Sequence, residues 1–218
     1  MTSESAMTTR TDPLLSPDNH VLLMIDHQII QTLTIRSHEQ ADILNNVAVV
    51  GEAAEIFNIP LLLSVGFLEK QSVIEPFASI VKDAPRIERT TLNSWEDSRI
   101  TDWVKKHGRP KIVMAGQWTE VCLQFPVISA LADGYDVYFI ADASGGGSKE
   151  THDLAVMRMV QAGAKPLSAL VYLSELQRDW AREATANQTA KVFADRGGAF
   201  GLSLIWQQQI LGLKEGTR

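Results

Sequence analysis

The feature that most constrains this 218-residue chain is a series of short, continuously apolar runs separated by longer segments with helical periodicity. The runs are VLLMI at 21–25, LLLSV at 61–65, IVMA at 112–115, VYFIA at 137–141 and PLSALVY at 166–172. A strand with one wet face alternates apolar and polar residues. A run that does not alternate is covered on both faces, the condition of a parallel sheet between helix layers. Helices are predicted over 41–58, 98–107, 121–133 and 150–162, and Gly108, Gly134 and Gly163 follow three of them, where a left-handed residue closes a helix. The strand, helix, strand order implies right-handed crossovers and an α/β fold: a three-layer α/β/α, Rossmann-like sandwich around a central, mainly parallel sheet.

Two more helices are expected over 175–195 and 200–211. They carry Trp180, Phe193, Phe200, Leu204, Trp206 and Leu211, more apolar surface than a terminal appendage shows, so they should pack on the sheet or against another subunit. Residues 1–12 lack large apolar side chains apart from methionine and are expected to form a loose tail; residues 13–218 read as one domain with a C-terminal helical extension. A net charge of −6 argues against nucleic-acid partners, which need clustered Lys and Arg. The single cysteine excludes an internal disulfide, and without a recognisable signal peptide a cytoplasmic setting is expected. No apolar run approaches the roughly 18 residues needed to span a bilayer, so no membrane partner is expected either.

Ligands of open parallel sheets bind beyond the carboxyl ends of the strands, so chemistry should sit just after the apolar runs. Asp26 ends the first run; it is either a crevice carboxylate or the cap of the next turn. Cys122 falls in the first turn of the helix after the third run. There, exposed N–H groups and the positive dipole end should lower a thiol from about 8.5; the same residue also reads as a small buried hydrophobe. Arg89, shortly before Asn93 and Trp95, takes its meaning from its neighbours.

Together these segments carry a resemblance. Asp26-His27-Gln28, Arg89 ahead of Asn93-Ser94-Trp95, A-G-x-x-T-E-V-C at 115–122, DASG at 142–145 and MVQAGA at 159–164 resemble the isochorismatase-like cysteine hydrolases over about residues 14–179. The sequence looks closest to their YcaC-like branch, whose tail pattern it shares at Glu175 and Trp180. The resemblance implies Asp26 as general base, Cys122 as nucleophile and Arg89 as the basic third member. Other branches carry lysine there; a guanidinium can hold the Asp26 charge but does not readily shuttle protons. It further implies a cis peptide between Gln117 and Trp118, with an oxyanion hole from the N–H groups of Trp118 and Cys122. Gln28, Phe67, Asn93, Trp95 and Trp118 are the expected substrate pocket.

Nicotinamidases of this superfamily bind zinc or iron after the second strand, where this chain reads SVGFLEK at 64–70 and offers no such ligand set. The five histidines, His20, His27, His38, His107 and His152, show no metal-binding spacing, so neither metal nor other cofactor is expected. His27, adjacent to Asp26, should point to the opposite side and serve packing. Gly145-Gly146-Gly147 fits neither G-x-G-x-x-G nor G-x-x-x-x-G-K-S/T and is expected to be a strand-to-helix turn. The expected function is metal-independent cysteine hydrolysis of a small amide or related C–N or acyl substrate through a thioester, in a homo-oligomer. Two alternatives stand beside it: a catalytically idle small-molecule-binding oligomer on the same scaffold, and a nucleotide-binding α/β protein.

Overall fold

The structure, a computed structural model, describes residues 12–67 and 70–212. The tail expected at 1–12 thus lies outside the described residues except for Asp12, which pairs with Arg178 at 2.5 Å.

The elements run β1 (His20–Ile25), α1 (Ile29–Leu33), α2 (Gln40–Ile56), β2 (Leu61–Val65), α3 (Phe77–Ile80), β3 (Arg86–Glu88), α4 (Ser98–His107) and β4 (Lys111–Gly116). A single wide π-type turn (Thr119–Leu123) then leads into α5 (Gln124–Ala132), followed by β5 (Asp136–Ile140), α6 (Lys149–Gln161), β6 (Lys165–Leu167), α7 (Ala169–Gln177), α8 (Glu183–Arg196) and α9 (Ala199–Leu211). The six strands form one sheet in the order β3-β2-β1-β4-β5-β6, and every neighbouring pair is parallel. This is an α/β fold of the expected three-layer kind.

Alternate strand residues enter two separate cores. Leu22 and Met24 of β1 join Leu61, Leu63, Val113 and Tyr138 under α2, α3, α7 and α8, whereas Leu23 and Ile25 join Leu62, Ile112, Met114 and Phe139 under α4, α5 and α6. Each fully buried aliphatic side chain contributes about 1.5–3 kcal/mol, which is why the central strands show no polar alternation. Gly108, at φ 62°, closes α4 as expected.

Two expectations need correction, and one strand was not foreseen. Of the run PLSALVY, only its first two residues extend the sheet. Ser168 then accepts a hydrogen bond from the Val171 N–H at 3.2 Å and starts α7, so the remaining apolar residues line a helix face. The helix expected over 175–195 is two helices, because α7 ends at Gln177 and Arg178 adopts a left-handed φ of 55° before α8 begins. The edge strand β3, three residues long and largely exposed, has no apolar run to announce it.

Helix α9 sits on α8 through Leu204 and the ring of Phe200, 4.8 Å from that of Phe193, and leaves Trp206, Ile210 and Leu211 in solvent. Among the described residues, no helix is long and apolar enough to cross a membrane.

Candidate active site

The sheet order reverses on either side of β1, with β2 beside it to one side and β4 to the other, and such a switch point opens a crevice at the carboxyl ends. Backbone bonds fix three chain segments there. The Asp26 N–H donates to the Ser64 carbonyl at 2.8 Å, the Gln117 N–H to the Ile25 carbonyl at 3.0 Å, and the Arg89 N–H to the Val65 carbonyl at 2.9 Å. Asp26, the π-type turn with Cys122, and Arg89 are thereby carried to one end of the sheet, and all three side chains are buried.

Asp26 occupies the left-handed region at φ 54°, a conformation that aspartate tolerates better than most residues and that ends β1 abruptly. Arg89 uses its donors in three directions: Nε to Ser64 Oγ at 2.8 Å, Nη1 to the Thr91 carbonyl, and Nη2 to Asp26 Oδ2 in a buried ion pair. Asp26 Oδ1 has no completed hydrogen bond, and the Cys122 thiol is the group on which the carboxylate acts. Burial pushes the Asp26 carboxyl up, opposed chiefly by the Arg89 charge and then by the bonds to Cys122 and Arg89.

The thiol departs from expectation. Burial first, then the nearby Asp26 carboxylate, push Cys122 up to about 12, against weaker lowering by the Arg89 charge and the Trp118 backbone N–H. The helix-terminus argument fails because Cys122 precedes α5 in a buried turn beside a carboxylate. At rest the site therefore holds a neutral thiol next to the Arg-paired Asp26. The Gln117–Trp118 peptide is cis.

The expected pocket residues divide. Phe67 is 63% exposed at the end of β2, with Lys70 Nζ 5.9 Å from its ring centre, and Trp118 is half-buried, its Nε1 donating to Thr34 Oγ1 at 2.9 Å. The polar groups of the other three are already partnered. Gln28 clamps Gly66, donating to its carbonyl at 2.8 Å and accepting from its N–H at 2.9 Å. Asn93 caps the short turn after Thr91 and donates to Ser129 Oγ at 3.0 Å, and Trp95 donates to Asp133 Oδ2 at 2.8 Å. These three hold the loops around the site; free recognition groups they are not.

His27 lies beyond β1 and packs on Phe77, 5.8 Å between ring centres: it is buried, bonds the Ala143 carbonyl through Nε2 at 3.0 Å, and burial pushes it down to about 4. His38 and His152, remote in sequence, meet edge to face at 4.7 Å. Even so, no group of three His, Cys, Asp or Glu among the described residues is placed to hold a metal; Leu68 and Glu69 of the SVGFLEK segment lie outside the described residues. The glycine triplet leaves no free cradle for a phosphate, since the Gly146 N–H donates to Ser37 Oγ and the Gly147 N–H to Glu120 Oε1, each at 2.9 Å. Sequence reasoning missed Ser64, although a lone hydroxyl inside LLLSV was a visible signal. It also missed the contact between Thr119 and His152, which only the fold creates.

Comparison with known proteins shows the family of the chain. The isochorismatase domain family matches residues 20–170. The probable hydrolase YcaC of Escherichia coli K12 is 32% identical over 169 residues, 76% of this chain and 81% of that protein. The solved structure of E. coli YcaC, described as an octameric hydrolase of unknown specificity, superposes with a TM-score of 0.85 at 30% identity, covering 93% of this chain and 100% of its own. YcaC from Pseudomonas aeruginosa, solved with hexane-2,5-diol and covalent acrylamide, gives 0.84 at 29% identity over 93% and 99%.

Proposed function

This chain belongs to the isochorismatase family of hydrolases, and we propose that it works as a cysteine hydrolase on a small amide or related C–N or acyl substrate, through a thioester on Cys122. The observation that carries this reading is the convergence of Cys122, Asp26 and Arg89 in one buried site, beside the Gln117–Trp118 cis peptide. As the Cys122 sulfur attacks the acyl carbon, its proton passes to Asp26. The negative oxygen of the tetrahedral intermediate is held by the backbone N–H groups of Trp118 and Cys122. Collapse breaks the C–N bond, Asp26 returns the proton to the leaving amine, and water, deprotonated by Asp26, releases the acid from the thioester. Arg89 keeps Asp26 ionised between transfers and stays protonated itself. No step calls for a metal or other cofactor, and the reducing cytosol, where a lone thiol stays free, suits the chemistry.

A homo-oligomer completes the reading. It is supported by the octamer described for E. coli YcaC and by the outward apolar residues of α9. The test of the chemistry is a panel of amides, ureides and carbamoyl compounds, with intact-mass detection of an acyl adduct and assay of released ammonia. An adduct on the native protein that vanishes with turnover in Cys122→Ala is the expected result. Turnover that survives Cys122→Ala overturns the mechanism, and a bound panel compound that is never turned over favours an idle binding protein.

A further inference from the structure

The turn that carries the nucleophile is held from outside the triad. Thr119, the residue after the cis peptide, is fully buried, and its Oγ1 lies 2.9 Å from Nδ1 of His152 on α6. Its N–H donates to the Gly145 carbonyl at 3.0 Å, and the next residue, Glu120, accepts from the Gly147 N–H at 2.9 Å and from Thr151 Oγ1 at 3.3 Å. Two glycines pack closely in this loop. A Cβ at Gly145 would stand 2.6 Å from Ile35 Cδ1, and one at Gly146 2.5 Å from Glu120 Oε2. The start of α6 is itself fixed, because Ser148 and Thr151 cap it reciprocally. His152 therefore reaches Thr119 from a rigid base, and its side-chain hydrogen bond is to the turn that carries Cys122, in which the Val121 and Leu123 N–H groups bond the Trp118 carbonyl at 3.2 and 3.3 Å.

We propose that His152 is a positioning residue of the hydrolytic site, which acts through Thr119 to hold the Trp118 N–H and the Cys122 sulfur in register. The inference rests on Cys122 being the nucleophile. Burial and the neighbouring His38 push His152 down to about 4, so near neutral pH the brace is an uncharged imidazole; Glu120, Asp153 and Lys149 are the other charged groups that act on it. A brace of this kind matters because the oxyanion donors must meet a developing charge without rearranging, and a small displacement weakens them steeply.

The test uses iodoacetamide, so no substrate need be known. The second-order rate of Cys122 alkylation is measured near pH 8, beside a thermal melt, for the wild type, His152→Ala, His152→Asn and Thr119→Val. Loss of the N–H contact to sulfur should slow alkylation about tenfold in His152→Ala and in Thr119→Val. Asparagine places a polar atom near the position of Nδ1 and should restore the rate to within about threefold. The double variant His152→Ala/Thr119→Val should be no slower than either single one. A merely structural role would lower the melting temperature and leave the rate of the folded protein alone. Should His152→Ala fail to fold, Thr119→Val, which keeps the volume, decides. Alkylation at the wild-type rate in the folded variants overturns the proposal while the nucleophile stands; a wild-type Cys122 that iodoacetamide does not label overturns the nucleophile reading itself.

Discussion

Asp26→Asn should separate thiol reactivity from turnover. On the proposed mechanism the carboxylate has two opposed effects: it accepts the proton that the reaction must remove, and its charge, together with burial, keeps the thiol protonated, pushed up to about 12. Burial is the larger cause of that rise, so the Asp26 charge is assigned about one pKa unit of it, or about 1.4 kcal/mol. Deleting the Asp26 charge then raises the thiolate fraction near pH 8 by about tenfold. Because nucleophilicity falls by about half of that change on a logarithmic scale, alkylation should gain about threefold. Hydrolysis should be lost, since an amide cannot carry the proton to the leaving group. The fold also suffers: Arg89, buried and paired with Asp26, is left without its anion, at a cost of about 3–5 kcal/mol in urea unfolding. Iodoacetamide kinetics, hydrolysis of any panel substrate and urea titration are run on the same preparation. Alkylation slower than wild type in folded Asp26→Asn would show that the carboxylate does not govern the thiol, and the reasoning would fail.

Three further outcomes are expected. His20, His27 and His152 are each pushed by burial from 6.5 to about 4, so above about pH 6.5 both folded and unfolded chains carry them neutral; below it only the unfolded chain gains the protons. Stability should therefore fall from about pH 6.5 towards 4, by roughly 2 kcal/mol per histidine at about pH 5, partly offset by the raised carboxyls of Asp26 and Asp142. Equal urea midpoints at pH 7.5 and 5 would contradict this. Ser64→Ala removes the acceptor of Arg89 Nε in a fully buried place and should cost about 1.5–3 kcal/mol, against which an unchanged urea midpoint counts. Trp206→Glu on the exposed face of α9 should shift the assembly towards the 24.1 kDa chain in light scattering, and a wild type already monomeric at micromolar concentration would refute the oligomer.

The parts legible in the sequence were those set by local pattern. Central strands between two helix layers have to be continuously apolar, and the polar residues that end them have to face the crevice, so Asp26 and the turn holding Cys122 stood out. The parts that were not legible depend on neighbours far apart in the chain. The pKa of Cys122 reads as lowered when only its helix is considered, and is raised once burial and a carboxylate from another strand are counted. Gln28, Asn93 and Trp95 lie close in sequence to Asp26 and Arg89, yet their polar groups face backbone and side chains that only the fold supplies. PLSALVY misled because an apolar run describes coverage alone, and the capping hydroxyl of Ser168 inside it was the overriding local signal.

Arg89 shows how the remaining information is distributed. It follows β3, the edge strand, while Asp26 ends β1, so its side chain has to cross the end of β2, with strands about 4.8 Å apart, to make the ion pair. Ser64 on β2 receives Nε along that path, and the Thr91 carbonyl receives Nη1 from the loop beyond. A guanidinium serves three acceptors in one plane from a single charge; an ammonium on a shorter reach would have to abandon at least one of them. Arginine at this position, the hydroxyl within LLLSV and the abrupt end of β1 at Asp26 are thus one arrangement, written in three places that become neighbours only through the strand order.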